Sequence, residues 1–383
     1  MHDTERGAFR NYGHLSMKMK IKTIRVLIVD DSAFMRKAIK RMLSLAPDIE
    51  VLDAAADGRE ALEKVVALRP DIVTMDVQMA GMDGLTALER IMRECPTPVL
   101  MLSSLTQEGA EVTIKALELG AVDFIDKTRV ESSMNITFLG GELITKVRTI
   151  AGIDIGKKRE HIPEPPPILP YEGLPLKKPP PRRVIVSPRV AVLAIGTSTG
   201  GPPALQAIIP RLPSDFSAGV IVVQHMPPGF TRTLAERLNG MSSLLVTEAV
   251  AGDIVEPGRV LVAPAGQHLK LQRRNGQFVV HLDDEPAEAL HRPSVDVMME
   301  SVARTCGRKS LGVLLTGMGS DGAVGMRAIK EAFGKTIAES EETSIVYGMP
   351  KSAIEQGIVD SVVPLYDMVE IIMKEVTWNP GRG

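Results

Sequence analysis

Two α/β domains, each a doubly wound parallel sheet and joined by a Pro-rich linker, form the architecture that the sequence predicts. Three observations lead there. The 383 residues suffice for two to three domains at roughly 150 residues each. Apolar β-like runs alternate with amphipathic helical stretches twice along the chain. Between the two series lies a segment too rich in proline to pack a core.

Residues 1–21 show no periodicity and are expected to form a disordered tail, with Met17 and Met19 as alternative starts. From Ile24 the runs IRVLIV, VLDAAA, DIVTM, PVLML and AVDFI predict five strands, separated by helical patterns such as FMRKAIKRML and ALEKVVAL. This first domain is expected over 22–151. The stretch EPPPILPYEGLPLKKPPPRR dominates the linker, placed at 152–187. A second alternation opens at VAVLAIG and runs through GVIVVQH, GRVLVAP, LGVLLTG and KTIAE, with helices expected at TRTLAERLNG and SVDVMMESVA. In HLKLQRRNGQFVVHL, Asn275-Gly276 supplies the two positive φ angles of a type I′ hairpin turn. The second domain is placed at 188–378 and a short tail at 379–383. No internal repeat is visible.

Composition narrows the function. Forty-four per cent hydrophobic and 24% charged residues suit a globular chain, and a net charge of -2 lacks the basic excess of a nucleic-acid binder. Only two cysteines occur, Cys95 and Cys306, without metal-ligand or disulfide spacing. No apolar run reaches the roughly 18 residues of a membrane span, and the first residues lack the apolar core of a signal peptide. A cytoplasmic monomer without membrane insertion is expected.

In a doubly wound sheet, ligands bind beyond the carboxyl ends of the strands, where strand order reverses. For a 2-1-3-4-5 order, strands one and three flank that point. Asp30 and Asp31 end the first strand and Asp76 the third, so three carboxylates converge. Oxygen ligands of that kind suit Mg²⁺. Ser103 and Lys127 end strands four and five. Together they fit an aspartyl-phosphate site: Asp76 attacks a phosphoryl donor, Mg²⁺ and Lys127 neutralise its oxygens, and Ser103 senses them. This set resembles the receiver domain of bacterial response regulators. Asp30-Asp31, Asp76 followed by MxxMDG (Met79 to Gly84), Ser103 and Lys127 carry the likeness. Ala80 and Thr128 depart from it, both standing where receivers commonly have proline.

In the second domain the strand VAVLAI runs into Gly196-Thr197-Ser198-Thr199-Gly200-Gly201 and then a helical pattern. This G-x-S-x-G turn either presents the Ser198 hydroxyl as a nucleophile or cradles a phosphate. A base decides between the two. Of seven histidines, His2, His14 and His161 lie in tail or linker and His281 ends the hairpin, whereas His225 closes GVIVVQ on the edge that carries Ser198. Asp321 follows LGVLL in a Gly-rich turn; by itself it reads as a helix N-cap. Three such residues at one sheet edge make a Ser198, His225, Asp321 triad the simplest reading. Their chain order disfavours the α/β-hydrolases, which run Ser, acid, His.

The blocks GTSTGGPPAL, VVQHMPPGFT, HRPSVDV, LLTGMGSDGA and YGMPKSAI, spread over about 188 to 376, resemble the catalytic domain of the chemotaxis receptor methylesterases, which also act as protein-glutamine glutaminases. The resemblance implies a flavodoxin-like receiver followed by a Rossmann-like three-layer methylesterase domain bearing a β-hairpin. It implies hydrolysis of glutamyl methyl esters on chemoreceptors, with methanol released and glutamines deamidated, under control of a chemotaxis histidine kinase. The ester reaction itself needs no cofactor. Backbone amides at Thr199, Gly200, Gly201 and Met318 are the candidate oxyanion donors or turn positions. Arg292 is a candidate guide for an acidic receptor helix; His268 and His291 sit in loops without an assigned role. Where the family often has Gln, Glu339 stands. A partner-binding output domain would need no such convergence, and a transcription factor would show a helix-turn-helix after the linker, which this chain lacks.

Overall fold

The computed structural model describes residues 23–104, 106–127, 136–161, 163 and 189–377. The tails expected at 1–21 and 379–383, Thr128 and most of the Pro-rich stretch lie outside them.

The amino-terminal domain is a five-stranded sheet of β1 (Ile24–Val29), β2 (Ile49–Ala55), β3 (Ile72–Asp76), β4 (Val99–Ser103) and β5 (Asp123–Asp126), in the order 2-1-3-4-5. Every pairing is parallel. Helices α1 (Ala33–Leu43), α2 (Gly58–Leu68), α3 (Gly84–Glu94), α4 (Gln107–Leu119) and α5 (Ile136–Ile150) cover it. Short polar residues begin four of these helices: Ser32, Asp57, Asp83 and Thr106 each accept a first-turn amide. Strands β3 and β4 are buried along their whole length, as central strands of a parallel sheet covered on both faces are.

The segment assigned to the linker does not begin as an extended chain. Ile155–Glu160 forms α6, and Ile155 is buried against the first domain's core. Proline content marked the later residues of this stretch but was silent about the apolar anchor that precedes them.

The second domain is a seven-stranded parallel sheet in the order β14-β13-β12-β6-β7-β9-β8. Its strands are β6 (Val192–Thr197), β7 (Gly219–Gln224), β8 (Leu245–Glu248), β9 (Arg259–Val262), β12 (Ser310–Leu314), β13 (Lys335–Glu339) and β14 (Ser361–Val363). Strands β10 (His268–Arg274) and β11 (Gln277–Asp283) form the antiparallel hairpin, with Asn275 and Gly276 at φ 50 and 79 as the turn demands. Helices α7 (Gly201–Ile208), α8 (Phe230–Met241), α9 (Val295–Cys306), α10 (Ala323–Glu331), α11 (Met349–Glu355) and α12 (Met368–Thr377) complete the layers. The edge strands β8 and β14 escaped the sequence reading because they are short and only partly buried. No helix among the described residues is long and apolar enough to cross a membrane.

Candidate active site

Strand β6 delivers Ser198 into a turn that three contacts hold. Ser198 N–H donates to the Thr316 carbonyl at 3.1 Å, and its own carbonyl accepts from Gly201 N–H at 2.8 Å and Gln224 Nε2 at 2.9 Å. Gly200 turns the chain at φ 80. A Cβ at Gly201 would stand 1.9 Å from Gln224 Oε1, so only glycine lets that amide approach. Gly201 N–H is therefore spent on the turn, which leaves Thr199, Gly200 and Met318 as the oxyanion candidates.

His225 follows β7 and is nearly buried. Its Nε2 lies 2.8 Å from Asp321 Oδ2, while Nδ1 is buried with no hydrogen-bond partner among the described residues. A carboxylate on Nε2 fixes the proton there and leaves the Nδ1 lone pair to act as a base. The His291 ring stacks on His225 at 4.1 Å. Burial, reinforced by His225 beside it, pushes His291 down to about 4, so it is neutral at pH 7.

Asp321 does not cap its own helix: Gly322 is the N-cap of α10, with no side-chain cap bond. It sits instead at the N-terminus of α9. Oδ2 accepts Val295 N–H at 2.8 Å; Oδ1 accepts Asp296 N–H at 3.0 Å and the Ser294 hydroxyl at 2.9 Å. Burial alone would raise this carboxyl, but the His225 contact and the helix amides outweigh it and hold Asp321 well below the usual carboxylate range. Asp296 returns the contact by accepting Gly322 and Gly325 N–H at 2.9 and 2.7 Å. Each helix start thus carries the other's carboxylate, an arrangement that no local spacing in the sequence announces.

Ser198, Thr199, His225 and Met318 line a cleft of about 690 Å³, with Leu290, His291 and Arg292 on its rim. The opposite wall comes from the first domain and includes Asp123, Phe124 and Lys146. Asp123 Oδ2 accepts the Thr199 hydroxyl at 2.6 Å and pairs with Lys146 Nζ at 2.9 Å. Phe124 stacks on Phe230 with centroids 4.6 Å apart, and Glu118 receives Arg237 Nε at 2.7 Å and Gln206 Nε2 at 2.8 Å. Lys158 of α6 reaches the Glu341 and Glu342 carbonyls.

Behind the cleft, Glu339 is fully buried. Its carboxylate accepts Thr316 N–H at 2.8 Å and the Thr343 hydroxyl at 2.9 Å. Burial pushes it from the ordinary 4.5 to about 7. A carboxyl raised on folding stabilises the protein fully below its unfolded value, and that contribution is lost as pH rises through the folded one. The window here runs from about 4.5 to about 7. Glu339→Gln is neutral at every pH, so denaturant titrations should find it more stable than the parent at pH 8.5 by ~1–3 kcal/mol. At pH 4.5 the two should match. An equal difference at both pH values would show that folding does not raise the Glu339 carboxyl.

In the first domain, Asp30, Asp31 and Asp76 bring carboxylate oxygens within 4.8 Å of one another. Asp30 Oδ2 is buried with no partner among the described residues. Burial pushes Asp30 up to about 6, with Asp76 adding to the effect. An all-oxygen donor set with one orphaned buried oxygen fits a hard divalent cation. Lys127 Nζ contacts both Asp76 oxygens at 2.7 Å. Ser103 is buried, with its hydroxyl 2.6 Å from Thr113 Oγ1.

Residues 193–372 match the family model described as CheB methylesterase, and residues 26–135 match the response regulator receiver domain. A protein-glutamate methylesterase/protein-glutamine glutaminase of Pyrococcus abyssi is 47% identical over 370 residues, covering 96% of this chain and 97% of that one. The chain belongs to the CheB methylesterase family. Another relative in that family, from Oleidesulfovibrio alaskensis, is 44% identical over 366 residues and covers 92% of this chain and 99% of its own. A crystal structure of the Thermotoga maritima CheB methylesterase catalytic domain is 45% identical and covers 48% of this chain and 98% of that one, with a TM-score of 0.48. The two family matches divide the chain into a receiver and a methylesterase half, and a receiver's aspartyl-phosphate pocket binds Mg²⁺.

Proposed function

We propose that this chain hydrolyses methyl esters on glutamate side chains of chemoreceptors, releasing methanol, and deamidates receptor glutamines by the same route. The His225–Asp321 pair at 2.8 Å, with His225 and Ser198 lining one cleft, is the observation that carries this reading. Ser198 Oγ attacks the ester carbonyl as His225 Nδ1 takes its proton. Asp321, held by the α9 amides, keeps the other proton on Nε2 and stabilises the imidazolium that forms. His225 returns the proton to the departing methoxide. Water then enters by the same base, and the acyl-enzyme opens to a receptor glutamate. Amides of Thr199, Gly200 or Met318 face the developing oxyanion. Neutral His291 covers the imidazole without adding a competing charge beside it. No step of the ester reaction calls on a metal.

Asp76 is the phosphoryl acceptor. Mg²⁺ held by Asp31 and Asp76, and by Asp30 through water, would shield the charge of the transferring group. Lys127 already lies against Asp76 and would follow the phosphoryl oxygens. Ser103 hydrogen-bonds to Thr113 on α4, so a change at Ser103 reaches the helix that contacts the second domain. The phosphodonor is a chemotaxis histidine kinase, the substrate a methylated receptor, and the setting a cytoplasmic monomer.

Methanol release from methylated receptor, with and without a small phosphodonor, tests the activity directly. Absence of methanol in both conditions would refute it. Intact mass should rise by one phosphoryl group when Mg²⁺ and phosphodonor are both present, and should not rise in Asp76→Asn. A label surviving that substitution would move the acceptor elsewhere.

A further inference from the structure

His268 is fully buried at the start of β10, outside the triad. Its two ring nitrogens meet two backbone groups of opposite and fixed character. Nδ1 faces Ser294 N–H at 3.2 Å and Nε2 faces the Pro286 carbonyl at 3.3 Å. An amide N–H can only donate and a carbonyl can only accept. The imidazole is therefore held as the neutral tautomer with its proton on Nε2. Burial holds His268 below its ordinary pKa, and the charges of Arg292 and Lys270 act in the same direction.

Both partners lead to the cleft. Ser294 is the N-cap of α9, accepting Val297 N–H at 3.3 Å while its hydroxyl donates to Asp321 Oδ1 at 2.9 Å. The residues after it, Val295 and Asp296, supply the amides that hold the rest of that carboxylate. Pro286 opens the segment that ends in Leu290, His291 and Arg292 on the cleft rim. Its far end is tied down separately, where the Arg292 carbonyl accepts Gly266 N–H at 3.0 Å.

We infer that His268 is a positioning residue for the esterase: through Nδ1 it sets Ser294 and so the aim of Asp321 on His225, and through Nε2 it anchors the substrate-facing rim segment. This rests on the Ser198–His225–Asp321 reading of the site. It assigns separate effects to the two nitrogens, because aiming Asp321 governs the chemical step, whereas the rim governs how the receptor helix is held. A general core role would move both together.

The two amide side chains separate these contacts. In His268→Asn, the amide oxygen can take the place of Nδ1 and accept Ser294 N–H, but nothing reaches Pro286. In His268→Gln, the amide nitrogen can reach the Pro286 carbonyl while the acceptor for Ser294 is lost. With the phosphorylated full chain and methylated receptor, His268→Gln should lower kcat by ~10- to 100-fold with KM nearly unchanged. His268→Asn should lower kcat only a few-fold and raise KM. Equal kcat losses in the two variants, or native kcat in a folded His268→Gln, would overturn the inference. Should either variant fail to fold by circular dichroism, Ser294→Ala carries the test, since it leaves His268 intact and removes the hydroxyl link to Asp321 together with the cap bond from Val297 N–H. Ser294→Gly would lose the same link at little capping cost, and Ser294→Thr would restore both bonds. Its kcat should fall ~10-fold and return in Ser294→Thr. Native kcat in Ser294→Ala would sink the Nδ1 arm. Ser198→Ala run alongside separates the two levels: turnover surviving there refutes the triad itself, whereas its loss together with native kcat in His268→Gln refutes only this inference.

Discussion

Ser198→Ala is expected to lower ester turnover by about 10³-fold or more while the fold is retained, and His225→Ala and Asp321→Ala should do likewise. Ser198 loses the attacking oxygen, His225 the group that takes and returns the proton, and Asp321 the charge that fixes the tautomer. Because the three act as one unit, combining two substitutions should cost little more than the worse of them. Asp321→Ala carries a second consequence. It strips the hydroxyl of Ser294 and the amides of Val295 and Asp296 of their acceptor, so part of its loss is structural. Asp321→Asn keeps an acceptor oxygen for the Ser294 hydroxyl and Asp296 N–H but loses the one that Val295 N–H and His225 Nε2 share, so it cannot hold His225 in the required tautomer and should be nearly as inactive. Rates of methanol release with thermal melts of each variant check this. Near-native turnover in Ser198→Ala would remove the triad, and native turnover in Asp321→Asn would reduce the aspartate to a cap.

The parts of this site legible in the sequence are those fixed by strand ends. A parallel sheet sends every strand's carboxyl end to one edge, so Ser198 after β6, His225 after β7 and Asp321 after β12 could be grouped from their flanking apolar runs alone. The same logic gathered Asp30, Asp76, Ser103 and Lys127. The unread parts depend on packing between distant segments. Asp321 looked like the cap of the helix it precedes, yet it serves α9 while Asp296 serves α10; a spacing rule sees only a residue's own helix. His291 sat in a stretch without periodicity, and His268, expected in a loop, in fact opens β10; what distinguishes them is a stacked ring at 4.1 Å and two backbone partners 18 and 26 residues away. The weak edge strands β8 and β14 also escaped, since their partly exposed residues blur the apolar run on which strand recognition depends. Least legible was the docking of the two domains: Glu118 and Arg237 are 119 positions apart, and neither has a neighbour in sequence that predicts the other.

That docking sets the remaining expectation. A fragment starting near Pro188 should be more active than the unphosphorylated full chain and should ignore phosphodonors. In the docked chain Asp123 occupies the Thr199 hydroxyl beside the nucleophile, and Phe124 closes over Phe230. A receptor helix should reach Ser198 more readily once both withdraw. The tether keeps the receiver at high effective concentration, so a modest surface holds it in place. If ~1% of molecules are open before phosphorylation, complete release raises activity up to about 100-fold. Glu118 is the point at which a single substitution should loosen the lid, because it holds both Arg237 and Gln206. Glu118→Ala in the full chain should raise basal turnover part of the way, shrink the response to phosphodonor, and leave phosphorylation of Asp76 intact, since Glu118 lies in the last turn of α4, beyond Thr113 and its contact with Ser103. A fragment less active than the full chain would make the receiver an activator. A fragment of raised activity with an unchanged Glu118→Ala would keep the lid but move its latch to the aromatic and Asp123 contacts.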